Sequence, residues 1–287
     1  MYDAYVSEEV VSKLPFDVTS IVSHDKKDKL LIGSKQGHLL SCDHAGKRSG
    51  FEYQVCRTFE KRLINELKVV ESHDLILCLS DSQLSVHDAN EPYKVLDTLA
   101  KYRPTTCFSF HVREEQNLLQ VVISSRKRIH YFKWLVDKLE EEQLALNPPC
   151  LLDSAQRLSF CGWNSLVLAV RNEYFFVQLF KDIATNDKNG TLDNQTEEEE
   201  SIGKLKSLNT TGNRPTDSPT IVELTVSADS TNKSKKHLVG IGKDNMLIFV
   251  NQLGKPAKEY SSCRFSDSPL AVAFDSPYIV AVLPKTW

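Results

Sequence analysis

The chain has 287 residues, 41% of them apolar, enough for one large all-β domain or two ordinary ones. Its formal net charge of −3 gives no basic face of the kind a general nucleic-acid binder needs. No 18-residue apolar run is present to span a bilayer, and the opening MYDAYVSEEVVSKLP has neither the basic start nor the apolar core of a secretory signal, so a cytosolic chain is expected.

In chain order, the first element is VTSIVSH (18–24), followed by DKLLIGSKQGHLLSCD (28–43), in which two apolar runs flank a polar turn containing Gln36 and Gly37. That is the pattern of a β-hairpin. FEYQVCRTF (51–59) trails it as a weaker strand. The same order then returns. INELKVV (64–70) leads into HDLILCLSDSQLSVHD (73–88) and YKVLDTL (93–99), and CFSFHV (107–112) leads into NLLQVVISSRKRIHYFKW (117–134). RLSFCGW (157–163) leads into NSLVLAVRNEYFFVQLF (164–180), and IVELTVS (221–227) into KHLVGIGKDNMLIFVNQ (236–252). LAVAF (270–274) precedes SPYIVAVLPKTW (276–287), which stops after one strand. The first four hairpins open at Asp28, His73, Asn117 and Asn164, the recurrence expected of one four-stranded propeller blade. The fold expected is therefore all-β: a β-propeller of four-stranded blades, about six of them present. Strands covered on both faces read as continuous apolar runs, whereas outer strands alternate.

Two segments interrupt the repeat. WLVDKLEEEQLAL (134–146) is rich in helix formers, but its place is that of an outer strand, and a strand is the expectation. Residues 181–220 are polar, carry four glutamates at 197–200 and hold few apolar side chains, so they are expected to form a disordered acidic insertion between blades. The sequons at Asn189, Asn194 and Asn209 matter only in a secreted protein, and the Ser218-Pro219 phosphorylation motif is weak.

The search for chemistry is negative. HExxH, G-x-S-x-G and the Walker phosphate loop are all absent, and no carboxylate pair has a spacing suited to acid–base work. Gly240 and Gly242 read as a hairpin turn, and Arg126, Lys127 and Arg128 as a solvated turn tip. His24 and His73 recur where the chain enters a hairpin, which suggests that they cap that turn; His87 precedes Asp88 where some propellers carry Trp-Asp. Cys42, Cys56, Cys78, Cys107, Cys150, Cys161 and Cys263 form no CxxC pair, and they read as structural thiols with no disulfide or metal site. Catalytic, cofactor-binding and metal residues are accordingly expected to be none, and inner strand ends offering Gly, Ser and aliphatics argue against a propeller enzyme.

Lys13-Leu14-Pro15, LLIGSKQGHLL (30–40), VHD (86–88) and SPYIVAVLPK (276–285), in this order and spacing, resemble the N-terminal citron-homology (CNH) domains of HOPS-type membrane-tether subunits. The resemblance covers residues 1–287 apart from 181–220. It implies a non-enzymatic propeller without cofactors that docks a Rab-type small GTPase, peripheral to late endosome and lysosome membranes. The implied work is vacuole and lysosome fusion, endosome-to-lysosome transport and autophagy. A helical region that follows in the family joins the other HOPS core subunits. No motif of the family fixes the partner-binding residues. Because the family continues past the 276–285 strand, this chain is expected to be shortened at its C-terminus, incomplete against a seven-bladed ring, with an open blade edge. An interaction scaffold of the same domain class, in a CORVET-like (TGF-β-receptor-associated) protein or beside a kinase or Rho-exchange domain, stays open as the alternative.

Overall fold

The computed structural model describes residues 14–44, 51–57, 59–171, 173–180, 202–208, 219–227, 235–257, 260 and 262–284. It forms two compact units, Met1–Pro104 and Thr105–Trp287.

The first unit holds two antiparallel sheets whose strands pair in chain order. One comprises β1 (Val18–His24), β2 (Lys29–Ser34), β3 (Leu39–His44) and β4 (Phe51–Cys56). The other comprises β5 (Ile64–Val70), β6 (Leu75–Ser80), β7 (Gln83–Asp88) and β8 (Val95–Thr98). Leu31, Leu39, Ile64, Leu67 and Ile76 form one buried cluster between the sheets. Each such side chain contributes about 1.5–3 kcal/mol by leaving water. Gly33 makes the approach possible: a Cβ there would stand 2.7 Å from Ile64 Cγ2.

The second unit continues with β9 (Thr105–Arg113), β10 (Leu118–Ser125), β11 (Arg128–Leu135) and β12 (Lys138–Glu142). Then come β13 (Ala155–Phe160), β14 (Ser165–Val170), β15 (Glu173–Gln178) and β16 (Lys206–Ser207). The last four-stranded sheet is β17 (Ile221–Ser227), β18 (Lys235–Lys243), β19 (Met246–Asn251) and β20 (Cys263–Arg264). A two-stranded sheet, β21 (Ala271–Asp275) and β22 (Tyr278–Val282), follows. Neighbouring sheets share apolar clusters. Val122 and Tyr131 pack with Leu158 and Leu166, Val167 and Phe176 with Val239 and Ile241, and Leu224 and Phe249 with Val272 and Phe274.

Local chemistry explains why the unit repeats. β1, β5 and β9 each run into one turn of 3-10 helix, and the next residue is left-handed: Asp28 (φ 50°), Asp74 (φ 50°) and Asn117 (φ 47°). Asp and Asn tolerate that region because a short polar side chain bonds locally. β1, β5, β9 and β13 also each carry a register shift near their first residues, so that Thr19, Asn65, Thr106 and Gln156 are skipped in the pairing. Such bulges bend a strand and raise its twist. The β6–β7 and β10–β11 hairpins turn on consecutive left-handed residues, Asp81 and Ser82, and Arg126 and Lys127. That geometry matches the twist of the flanking strands.

Three expectations change. β18 contains Gly240 and Gly242, and the turn lies at Asp244, so the pair are strand residues rather than a turn. A Cβ on Gly242 would meet Thr220 Cβ at 2.7 Å, and one on Gly240 would meet Leu247, so close packing selects glycine there. His24 and His73 are not equivalent: His24 ends β1, Val70 holds its place in the second sheet, and neither 3-10 turn has a side-chain cap bond. Within 181–220, residues Lys206 and Ser207 pair with Phe176 and Phe175 and supply a fourth strand; the rest of the insertion, 219–220 and residues near 202–208 apart, lies outside the described residues. Burial is greatest in the second strand of a sheet: β6 and β14 are buried throughout, while β5 and β13 are exposed in part. The outer strand at 134–146 is present as β12, where Lys133 and Trp134 face Glu140 and Leu139; these cross-strand pairs outweigh helix propensity.

Candidate functional site

Two polar clusters and one apolar face stand out. The first cluster belongs to the Met1–Pro104 unit. The β6–β7 register sets Cys78 opposite Ser85, and strand periodicity puts His87 on the face of Ser85. Glu60, from the segment leading to β5, closes the group. Ser85 Oγ is 2.9 Å from Glu60 Oε1 and 2.9 Å from His87 Nε2, and that nitrogen is 3.2 Å from Glu60 Oε1. His87 Nδ1 lies 3.2 Å from the Tyr93 carbonyl oxygen, and Phe59 stacks on the ring at 4.3 Å. His87, Cys78 and Ser85 are buried, and the Glu60 side chain is 22% exposed. Burial alone would raise the Glu60 carboxyl, but its contacts with His87 and Ser85 outweigh it and hold the acid below its ordinary value. Burial drives the Cys78 thiol well above its ordinary value, and the Glu60 charge adds to this. Serine, histidine and acid do not form a proton relay here, because acid and hydroxyl share one ring nitrogen and the other is spent on a carbonyl.

The second cluster lies on β9, β13 and β17. Glu223, itself exposed, accepts hydrogen bonds from the buried hydroxyls of Ser109 (3.1 Å) and Ser159. Two residues along β9, His111 meets His237 edge to face with ring centroids 5.6 Å apart. Burial pushes the His111 imidazole down to about 4; His237 and Arg113 add to this and Glu114 opposes it. His111 is therefore neutral at neutral pH. Arg113 sits over the Trp163 ring at 4.2 Å. The inner strands thus do bring polar groups together, contrary to the sequence expectation of Gly, Ser and aliphatics alone. Eight apparently scattered histidines hid both clusters, since Glu60 and His87, or Ser109 and Glu223, are far apart in sequence.

A cavity of about 270 Å³ beside β11 and β12 is lined by Arg128, His130, Glu141, Leu144 and Leu146 among others, with His130 Nδ1 2.7 Å from Glu141 Oε1. The apolar face is that of the β21–β22 hairpin. Val272, Phe274 and Ile279 pack inward, while Tyr278, Val280 and Val282 are exposed beside Ala271 and Ala273.

Of the residues singled out in the sequence, Arg126 and Lys127 form their turn and Arg128 opens β11. His73 Nδ1 is 2.8 Å from Ser72 Oγ. None of the seven cysteines is in a disulfide, and four of them are buried while Cys150 is exposed. Asn189, Asn194, Asn209 and Ser218 lie outside the described residues. Among those residues no helix is long and apolar enough to cross a membrane.

Small antiparallel sheets, packed on one another within each unit through their first strands, define a β-propeller domain. Residues 26–286 match the CNH domain, and the chain belongs to that family. Over 99% of its length it is 31% identical to the Vacuolar protein sorting-associated protein 39 homolog of Caenorhabditis elegans, and it covers 30% of that protein. It is 23% identical to the Vam6/Vps39-like protein of Homo sapiens, again over 99% of this chain and 30% of that one. The chain thus spans less than a third of the length of these relatives. Among solved structures, the N-terminal domain of Nup159 aligns with a TM-score of 0.60 at 14% identity, covering 92% of this chain and 72% of that one. The AfRom2 CNH domain aligns with a TM-score of 0.57 at 14% identity, covering 96% and 82%. At that identity these two likenesses bear on the fold alone.

Proposed function

We propose that this CNH domain is the docking module of a HOPS-type membrane tether in vacuolar and lysosomal sorting. It works by contact rather than catalysis: it engages a Rab-type small GTPase on late endosome or lysosome membranes and acts there as a peripheral protein in fusion, endosomal transport and autophagy. The observation that carries this reading is the 31% identity, over 99% of the chain, to a relative named for vacuolar protein sorting. Two features support it. The Glu223 cluster is engaged in hydrogen bonds between strands, and the β21–β22 hairpin offers an exposed apolar face, which suits a protein partner better than a small substrate. The remaining HOPS core subunits are partners of the longer protein.

The test is binding of the purified chain to late-endosomal Rab proteins loaded with GTP or GDP, measured by biolayer interferometry. Nucleotide-dependent binding supports the reading. Equal or absent binding to both forms, across the late-endosomal set, overturns it and favours the CNH scaffold of another assembly.

A further inference from the structure

The Glu60–Ser85–His87 group has more acceptors than protons. The Tyr93 carbonyl accepts only, so His87 Nδ1 carries the hydrogen of that contact, and Nε2 turns toward Glu60 and Ser85. With a neutral ring, Nε2 is a lone pair 3.2 Å from a carboxylate oxygen, and both look to the single hydroxyl proton of Ser85. The Cys78 carbonyl, 3.3 Å from Ser85 Oγ, is a third claimant. In this buried place the deficit calls for one positive charge: a second proton on His87 or a bound cation.

The surroundings favour the cation. Cys78 Sγ, His87 Nε2 and a Glu60 carboxylate oxygen all lie within 4.8 Å of one another. A proton would have no use for the sulfur, whereas thiolate, imidazole and carboxylate are the ligands of zinc-class ions. The 3.2 Å separation of nitrogen and oxygen is near the ~3.3 Å edge of a tetrahedron built on zinc bonds of about 2.0–2.1 Å. His87 is also oriented as metal-bound histidines are, with its other nitrogen on a backbone carbonyl. Strands β6 and β7 fix Cys78 and His87, and the partly exposed Glu60 marks the way in.

We propose that Glu60, Cys78 and His87 bind a single divalent ion of the zinc class, with Ser85 or a water at the fourth corner. On binding, the Cys78 S–H bond breaks, the sulfur–metal bond forms with the pair the sulfur keeps, and the proton leaves to solvent. Any proton on His87 Nε2 leaves with it. Uptake therefore releases acid and weakens as pH falls.

The test uses the untagged chain, stripped of metal and titrated with cobalt(II) and zinc(II). The expected result is one equivalent bound, a thiolate-to-cobalt charge-transfer band that zinc abolishes, and proton release in weakly buffered solution. Cys78→Ser removes the band, and His87→Gln weakens binding at least tenfold, whereas Cys161→Ser, at a buried thiol outside the cluster, changes neither. Because a variant can fail to fold, x-ray absorption of the zinc-loaded wild-type chain gives an independent reading of sulfur ligation. Binding without sulfur ligation, a band that survives Cys78→Ser in folded protein, or no binding overturns the proposal and leaves a protonated His87 paired with Glu60.

Discussion

Glu223 of β17 and Ser109 of β9 are 114 positions apart, yet the serine hydroxyl donates to the carboxylate at 3.1 Å. The Ser159 hydroxyl of the intervening sheet reaches the same oxygen, so one exposed acid ties three sheets together. Glu223→Ala leaves two buried hydroxyls to find other acceptors, and a loss of about 1–3 kcal/mol is expected. Urea unfolding checks it; Glu223→Gln, which keeps a carbonyl acceptor, should fall between the two.

Gly33→Ala tests close approach within the first unit. The new methyl would meet Ile64 Cγ2 at 2.7 Å and Leu67 Cδ1 at 3.1 Å. A loss of about 1–3 kcal/mol follows from forcing a methyl into a filled core. A compensating Ile64→Val should recover part of it in a double-mutant cycle.

His111 predicts a pH dependence. Its folded value is about 4 against 6.5 when free, because burial disfavours the charged ring. Between those values the unfolded chain binds the extra proton, so stability falls as pH drops through that window and levels off below it. His24, also lowered mainly by burial, acts in the same direction, while Glu60, held low, gives way only at more acid pH. His111→Phe should flatten the slope of unfolding free energy between pH 6.5 and 4 relative to the parent chain.

Thiol labelling should follow burial. Cys150 is exposed and reacts first with an aromatic disulfide reagent, whereas Cys161, whose thiol burial pushes up to about 12, reacts only on unfolding. Fast labelling of Cys161 in the native chain would contradict the packing described.

The exposed face of β21–β22 carries Tyr278, Val280 and Val282. Replacing Tyr278 and Val282 with lysine should reduce concentration-dependent association, measured by light scattering, without loss of stability.

The repeat was legible because its signals are local. LLIGSKQGHLL and LILCLSDSQLSV announce their own hairpins, and Asp28 and Asn117 mark the joints that start them. Contacts made at long range were not. Nothing near His87 points to Glu60, and nothing in the polar stretch after Gln178 announces that Lys206 and Ser207 return to pair with β15. The Gly240–Gly242 pair misled because glycine marks both turns and crowded strands; only the neighbouring Thr220 and Leu247 decide which. The unbroken apolar runs of β6 and β14 announced strands that are buried throughout.

The skipped residues Thr19, Asn65, Thr106 and Gln156 fall at one place in four sheets. A strand holding such a notch cannot slide along its neighbour without carrying the notch with it. Alignment is thereby locked at the beginning of these four sheets, and the far edge is free to drift in length and composition. That is why a two-residue edge such as β16 suffices, and why a long polar detour can be spliced in ahead of it while the hairpins it follows keep their alignment.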